Sequence, residues 1–348
     1  MRERPADPAR AYRTAGVDLD AADRVKRRFK ALVEATFGPE VLGGLGGFGG
    51  AFALGGLPEA DPVLVASADG AGTKVLIAQA AGRHDTVGED LVHHCVDDLL
   101  AAGARPLFFL DSIATGRLDE EVTLAIVEGF ARGCRVNGIP LLGGETAEMP
   151  DLYAGGRYDL AGFIVGVAPR ARLADWPRAR AGDLVLGLES SGLHTNGYTL
   201  ARRIVIDTAG HALGDRVPWG GETWADALLR VHRSYLRAVG PLLDDPALRA
   251  AAHITGGGFA GNLPRVLPAG LGVELDRGAW HVPPIFGYLA EVGAVAEEEM
   301  VRVFNMGIGF CLIVDSRAAD RVAADCDRRG FPATPIGRVV EGRGVTWS

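Results

Sequence analysis

The stretch Asp69–Lys74, with the sequence DGAGTK, constrains the fold most strongly because it directly follows the apolar run VLVASA at residues 63–68. A strand that ends in this hexapeptide presents a carboxylate, a pliable glycine backbone, a hydroxyl and an ammonium within six positions. These groups suit a site for phosphate and a divalent cation. The order Gly-Thr-Lys differs from the Gly-Lys-Thr of a Walker A loop, so a P-loop is not indicated. The alternative is a strand-end turn that carries an exposed lysine.

Lysine usage singles out three positions. Only three of the 36 basic residues are lysines, namely Lys26, Lys30 and Lys74, and the others are arginines. A lysine retained against that bias is a candidate for a task that needs a compact, flexible point charge, such as contact with a phosphate oxygen.

Length, charge and cysteine content bound the class of protein. A chain of 348 residues exceeds what one hydrophobic core usually organises, so two domains are expected. The formal charge of −8, with no basic tract beyond residues 26–28, argues against nucleic-acid binding. The four cysteines show no C-x-x-C spacing, which favours reduced, buried thiols. No leader-like segment is recognised and no apolar run approaches about 18 residues, so we predict a cytoplasmic protein without membrane association.

Glycine-rich runs mark two further segments. A helix predicted from Asp18 or Asp20 to about Thr36, with Lys30 near the edge of its apolar face, precedes GGLGGFGG at residues 43–50. That run contains a G-x-G-x-x-G pattern but lacks the preceding strand and following helix of a dinucleotide-binding unit. A glycine-rich flap over a ligand fits better.

The segment HITGGGF at residues 253–259 opens a second G-x-G-x-x-G, at Gly256, Gly258 and Gly261, with Asp276 in the place of an acidic ribose partner. Pro264 leaves room for only a short helix, which weakens the dehydrogenase reading. Anion binding by the glycine-rich turn is the more economical interpretation.

Polar strand ends recur along the chain. The apolar segment at 139–142 ends in Gly143–Thr146, a second pair of glycines with a carboxylate and a hydroxyl, so this end and DGAGTK are expected to converge on one site. A strand at 183–192 leads to His194 and Asn196, with helices predicted at 197–209 and 222–239.

Asp97 and Asp98 lie together in a helix predicted from Asp85 or Thr86 to Ala102. Adjacent helical side chains point about 100° apart, so both carboxylates cannot face one ligand. Apolar neighbours predict that at least one approaches the interior, where it needs a partner or a metal. Two surface aspartates are the alternative.

With these motifs in order, the chain closely resembles the phosphoribosylformylglycinamidine cyclo-ligase family. The resemblance runs from about Tyr12 to Val340 through AGVDLDA, GGLGGFGG, DGAGTK, GGETAEMP, SSGLHTNGY, HITGGGF and FNMGIG. DGAGTK alone indicates only a wider superfamily that includes selenophosphate synthetase, thiamine-monophosphate kinase and formylglycinamidine ribonucleotide synthetase.

The family resemblance implies an α/β (α+β) fold of two domains, residues 1–170 and 171–348. It further implies that the N-terminal mixed sheets of two subunits pair into a barrel-like core of a homodimer. ATP and Mg²⁺ are implied, with ATP-dependent ring closure of formylglycinamidine ribonucleotide to aminoimidazole ribonucleotide, ADP and phosphate. A related small-molecule kinase or a catalytically silent binding protein remains the alternative.

The site residues are carried over by position. The catalytic candidates are Lys30, Lys74 and His253. The ATP-binding candidates are Gly46, Gly47, Asp69, Gly70, Gly72, Thr73 and Lys74, and the magnesium ligands are Asp69 and Asp98. The substrate-binding candidates are Gly143, Gly144, Glu145, Thr146, Ser191, His194, Asn196, Thr255, Gly256, Gly257 and Gly258. The chain departs from the family at Ala71, Asp97 and Leu193, where Val, Asn and Pro are usual.

Overall fold

The computed structural model describes residues 16–348, so most of the predicted irregular segment 1–18 lies outside it. The first helix, α1 (Leu19–Glu34), begins at Asp18, whose carboxylate accepts a hydrogen bond from the Ala21 N–H. This confirms Asp18 as the cap. A short hairpin of β1 (Val41–Leu42) and β2 (Ala51–Phe52) follows and encloses the glycine-rich run.

A four-stranded mixed sheet forms the first half of the chain. Its order is β3 (Pro62–Gly70), β6 (Tyr158–Pro169), β4 (Arg105–Thr115) and β5 (Leu141–Glu148), with β6 antiparallel to both neighbours and β5 parallel to β4. Helices α2 (Lys74–Ala81), α3 (Asp85–Ala101) and α4 (Glu120–Asn137) follow β3 and β4, and α3 packs against β3, β4 and β6.

Close contact between α3 and the sheet depends on glycines of β6. A Cβ on Gly166 would lie 2.7 Å from Leu99 Cδ1, and one on Gly162 would lie 3.0 Å from Leu91 Cγ. The opposite face of the sheet stays open, and Leu64 and Phe163 on it are 55% and 45% exposed. One face is therefore built into the core, whereas part of the other stays exposed within the described chain.

A six-stranded sheet forms the second half, in the order β12-β9-β11-β7-β10-β8. All its pairs are antiparallel except β12 with β9. The strands are β7 (Leu184–Glu189), β8 (Leu248–His253), β9 (Leu271–Leu275), β10 (Ile308–Val314), β11 (Ala333–Glu341) and β12 (Gly344–Trp347). Every residue of β10 is buried. Strand β12 lies at the edge of the sheet beside β9 and was not predicted from the sequence.

The helices of the second half are short. They are α5 (Arg170–Ala174), α6 (Tyr198–Arg202), which continues as a π-helical turn over Arg203–Thr208, α7 (Trp224–Leu228), α8 (Leu236–Val239), α9 (Gly258–Asn262), α10 (Pro284–Gly293), α11 (Glu297–Val303) and α12 (Ala319–Arg328). Single 3₁₀ turns cover Gly240–Leu242, Leu263–Val266 and Ser316–Ala318.

The prediction of one helix over residues 222–239 is wrong for the middle of that range. Residues 229–235 are not helical but separate α7 from α8. The N–H groups of His232 and Tyr235 in this segment donate to the carboxylates of Asp90 and Asp97 on α3. These long-range partners replace the hydrogen bonds that a continuous helix would supply.

The two halves share one hydrophobic core. Its buried members include Leu91 and Leu99 of α3 together with Tyr235, Phe310 and Leu312 of the second half. A second cluster, which includes Phe259, Val273 and Ile313, is built entirely from residues of the second half. In residues 16–348 no helix is both long and apolar enough to cross a membrane.

Candidate functional site

An open cavity of about 1290 Å³ lies over the uncovered face of the four-stranded sheet. Its floor includes Phe108 and Leu110 of β4 and Phe163 and Val165 of β6, which gives it an apolar base. Helix α1, the glycine-rich run at residues 44–50 and strand β5 complete the lining. The cavity thus combines an apolar floor with a pliable backbone wall.

Two of the three lysines line the open cavity. Lys26 and Lys30 are one helical turn apart on α1, and the Lys30 side chain is 55% exposed with its Nζ 3.7 Å from Glu34 Oε1. The sequence analysis placed Lys30 but not Lys26 among the site residues, although the scarcity of lysine marked both positions.

Asp111 of β4 is a second cavity residue that the sequence reading missed. Burial, with the negative charge of Glu145 adding to it, raises the pKa of Asp111 to about 7. The carboxylate stands over Gly144, where a Cβ would lie 2.1 Å from Asp111 Oδ1. Only a glycine at position 144 leaves room for it in this rotamer.

The two polar strand ends, which are expected to converge on one site, are separated in the sheet by two other strands. Sheet register places Asp69, Gly162, Asp111 and Gly144 in one row across four strands. The row spans three inter-strand spacings, which is about 14 Å. Gly143–Thr146 therefore line the open cavity together with Lys30, Gly46 and Gly47, whereas Asp69 faces α3.

A second polar region, which we call the histidine–aspartate cluster, lies between the two halves. Its residues on α3 follow a helical stripe with spacings of three and four. The cluster consists of Asp69, Asp90, Asp97 and Asp98 with His93, His94, His194, His232 and His253.

Lys74 belongs beside this cluster and not in the open cavity. Its side chain is 1% exposed and pairs with Asp90 at 2.8 Å. Its Nζ also donates to the carbonyl oxygens of His194 at 3.0 Å and Arg230 at 2.8 Å. An ammonium has three N–H groups, so none is left for a phosphate. The predicted phosphate contact through Lys74 therefore needs correction: the chain turns into α2 at this residue and directs the side chain inward.

Burial sets the electrostatics of this ion pair. Desolvation lowers the pKa of Lys74, although the charge of Asp90 opposes the change. Desolvation likewise raises the pKa of Asp90 against the effect of Lys74. Each charge is tolerated only because the other is present.

Asp69 and Asp98 each contact the imidazole ring of one histidine. His94 Nε2 lies 2.6 Å from Asp69 Oδ2, and His253 Nδ1 lies 2.9 Å from Asp98 Oδ1. Burial acts to raise the pKa of both carboxyls, but the hydrogen bonds with His94 and His253 hold each pKa below its usual value. A nitrogen of His94 and one oxygen from each carboxylate lie within 4.8 Å of one another. Carboxylate oxygens are the donors that Mg²⁺ prefers, so this donor set fits a divalent cation.

Asp97 and Asp98 lie in different surroundings, as the rotation of about 100° between adjacent helical side chains predicts. Asp97 is fully buried and accepts the Tyr235 N–H at 2.8 Å, and burial raises its pKa well above the usual value. The Asp98 side chain is 27% exposed. The other departures from the family, Ala71 and Leu193, are both buried.

Most of the remaining predicted site residues lie near the junction of the two halves. Thr73 Oγ1 is 2.9 Å from Thr199 Oγ1, and Ser191 Oγ donates to the Val231 carbonyl. A Cβ on Gly256 would lie 3.4 Å from Asn196 Oδ1, so these two residues are neighbours. Gly70, Gly72 and Gly256 are exposed, Thr255 and Gly257 are partly exposed, and Gly258 and His194 are buried.

The sequence analysis did not select His94 or His232 as site residues. His94 lies on the same helical stripe as Asp90 and Asp97. That spacing was a usable signal for His94. None existed for His232, because its segment was read as helix.

The sequence is similar to known proteins along most of its length. Sequence models described as "AIR synthase related protein, N-terminal domain" and "AIR synthase related protein, C-terminal domain" match residues 53–168 and 180–348. The phosphoribosylformylglycinamidine cyclo-ligase of Sorangium cellulosum (strain So ce56) is 52% identical over 332 residues, which are 94% of this chain and 95% of that protein.

Solved structures share the fold at low identity. Thiamine-monophosphate kinase from Stenotrophomonas maltophilia K279a superimposes with a TM-score of 0.66 at 19% identity, covering 94% of this chain and 95% of that one. The hydrogenase maturation protein HypE in complex with ATP superimposes with a TM-score of 0.64 at 18% identity, covering 96% and 93%.

Removing the Lys74 charge should destabilise the fold. We expect Lys74→Met to lower the free energy of unfolding by about 3–5 kcal/mol, because Asp90 is left buried without its partner. Lys30→Met makes the same chemical change on an exposed helix face and should stay within about 0.5 kcal/mol of wild type. Urea unfolding measures both, and equal effects would contradict the structural role.

Asp111 should make stability depend on pH. The folded state keeps a proton up to about pH 7, whereas an unfolded aspartate loses it near about pH 4. The folded state thus binds more protons in this window, so the Asp111 contribution to the free energy of unfolding falls as the pH rises. Asp111→Asn should gain stability relative to wild type between about pH 4 and about pH 7. The neighbouring Ser112→Ala, measured by the same urea titrations, should keep a constant difference, and a constant difference for Asp111→Asn would refute the assignment.

Proposed function

The chain belongs to the phosphoribosylformylglycinamidine cyclo-ligase family, and we propose that it closes the imidazole ring of aminoimidazole ribonucleotide from formylglycinamidine ribonucleotide, converting ATP to ADP and phosphate. The observation that carries this proposal is the 52% identity to a named cyclo-ligase along nearly the whole of both chains. The enzyme is accordingly an ATP-dependent ligase of purine biosynthesis.

The open cavity is the proposed nucleotide site. Its floor of Phe108, Leu110, Phe163 and Val165 suits an adenine ring. Gly46 and Gly47 bring backbone close to the nucleotide, and Lys26 and Lys30 supply positive charge at the wall. The triphosphate would run along the strand ends from this cavity towards Asp69.

In this proposal the negative charge of the reacting phosphate groups lies near Asp69. ATP phosphorylates the formyl amide oxygen of the substrate, the amidine nitrogen attacks the activated carbon, and phosphate leaves as the ring closes. When bound, Mg²⁺ would neutralise phosphate charge and orient the γ-phosphoryl group. Asp69 and Asp98 are the residues that would hold it.

This chain's own groups position the rest of the reaction. His94 and His253 fix the orientation of the two metal-binding carboxylates. The turn Thr255–Gly257 offers backbone to the ribose phosphate beside Asn196. Because His253 is buried with both ring nitrogens engaged, we change its expected catalytic role to a positioning role that acts through Asp98. Ser191 and His194 lie near the junction of the two halves. Gly143–Thr146 line the nucleotide cavity, so we move them from the substrate side to the wall shared with ATP.

The uncovered sheet face supports a homodimer. Leu64, which does not line the cavity, leaves apolar surface on it, and a second copy of the sheet would cover that surface beside the cavity and form the barrel-like core. We retain the division into residues 1–170 and 171–348 and a cytoplasmic location as parts of this proposal.

The decisive assay compares products from three substrates. Purified protein is given ATP with formylglycinamidine ribonucleotide, thiamine monophosphate or selenide, and ADP release is followed with mass spectrometry of the product. Ring closure yields a product lighter than its substrate by one water, whereas a kinase yields one heavier by a phosphoryl group. A phosphorylated product in any reaction without ring closure would favour the kinase alternative.

A charge on the sheet face should prevent dimer formation. Leu64→Glu would place a carboxylate in the proposed interface and should give a monomer. Val136→Glu changes an apolar residue of α4 that is 53% exposed and should leave the dimer intact. Light scattering at micromolar concentration gives the masses, and a monomeric wild type would refute the proposal.

The adjacent aspartates should differ in function. Asp98→Asn removes a charge from the proposed magnesium site and should abolish turnover. Asp97→Asn keeps an oxygen for the Tyr235 N–H and should preserve most activity. ADP release at several Mg²⁺ concentrations tests both variants, and the reverse pattern would overturn the metal assignment.

A further inference from the structure

Three imidazoles meet at the centre of the histidine–aspartate cluster. His94 belongs to α3, His232 to the non-helical segment 229–235, and His253 to the end of β8. All three residues are at least 95% buried. One nitrogen from each ring lies within 4.8 Å of the others. They therefore bring three elements from both halves to one buried point.

Two of these rings approach each other through their nitrogens. His232 Nε2 lies 3.2 Å from His253 Nε2. Two nitrogen ligands of a tetrahedral zinc ion, each about 2.0–2.1 Å from the metal, are about 3.3 Å apart. The observed separation is close to that edge, so the two nitrogens are spaced as two ligands of one ion would be.

The other nitrogen of each ring is held by an oxygen. His94 Nε2 contacts Asp69, His253 Nδ1 contacts Asp98, and His232 Nδ1 lies 3.3 Å from Thr195 Oγ1. Histidines that bind a metal almost always have their second nitrogen anchored in this way. His94 Nδ1 also contacts Thr195 Oγ1 at 2.7 Å, so ligation by His94 exchanges one of its two hydrogen bonds for the ion.

We propose that His94, His232 and His253 form a binding site for a transition-metal ion of the zinc class, adjacent to the proposed magnesium site, with which it shares His94, and additional to the ring-closing activity. Imidazole suits such borderline ions, whereas Mg²⁺ prefers oxygen. The ion would tie α3 of the first half to β8 and segment 229–235 of the second.

The surroundings favour a cation at this point. Asp97 Oδ2 lies 3.3 Å from His232 Nε2, and no hydrogen-bond partner for it is found in the described chain. The negative charges come from Asp69 and Asp98, which contact His94 and His253, and the ammonium of Lys74 is already paired with Asp90.

Cobalt(II) is the probe, because its visible absorption reports tetrahedral nitrogen ligation directly. The wild-type chain is freed of metal with a chelator and titrated with Co²⁺ in excess Mg²⁺, so that carboxylate sites are filled. We expect one Co²⁺ per chain and loss of the visible band when one equivalent of Zn²⁺ is added. No band in the wild type would overturn the proposal.

Variants assign the ligands. His232→Gln and His94→Gln should each weaken binding by at least about 100-fold, because each removes a ligand nitrogen. His211→Gln alters a histidine that contacts Tyr288 outside the cluster and should bind as wild type. Circular dichroism verifies folding of each variant. Binding that survives in either folded ligand variant would refute the site.

A thermal measurement gives a second readout that needs no colour. Zinc should raise the Tm of wild type and His211→Gln, because the ion binds only the folded site. The same addition should leave the Tm of His94→Gln unchanged. An equal rise in all three proteins would identify the bound ion as adventitious and contradict the proposal.

Discussion

The buried ion pair between Lys74 and Asp90 is the interaction on which the junction of the two halves depends. An ion pair without solvent is tolerated only when its remaining donors and acceptors are also satisfied. Here the second half supplies them: carbonyl oxygens of His194 and Arg230 accept from Lys74, and the His232 N–H donates to Asp90. The pair therefore fixes two separate backbone segments of the second half against α2 and α3.

The fold was predictable where local sequence determines it. The Asp18 cap, the strand ending in DGAGTK and the helix from Asp85 follow from periodicity and end signals, and the structure has all three. The break at residues 229–235 was not predictable, because it depends on carboxylates more than 130 positions away in the sequence. A single sequence gives the propensity of that segment for helix but not the partners that override it.

The same limit applies to the site. Sequence patterns identified Asp69, Asp98, Lys30 and the glycine-rich turns, but not which of them lie together. The sheet order decides this, since β6 and β4 stand between β3 and β5. Gly143–Thr146 therefore line the open cavity together with Lys30. Asp69 instead lies beside the histidine rings of α3 and β8. Helix α3 links the regions, because its apolar face supports the sheet and its polar stripe faces the second half.

The retention of lysine at position 74 in an arginine-rich chain has a physical reason different from the one the composition suggested. Three oxygens from Asp90, His194 and Arg230 converge on Nζ at 2.8–3.0 Å. A compact ammonium with three rotating N–H groups satisfies three oxygens around one point, whereas a planar guanidinium directs its five donors outward in a rigid fork. Arginine in this space would bring excess donors without acceptors and a larger group into a closed core. The requirement for a point charge was therefore inferred correctly from composition, but it comes from the junction between the halves and not from a phosphate.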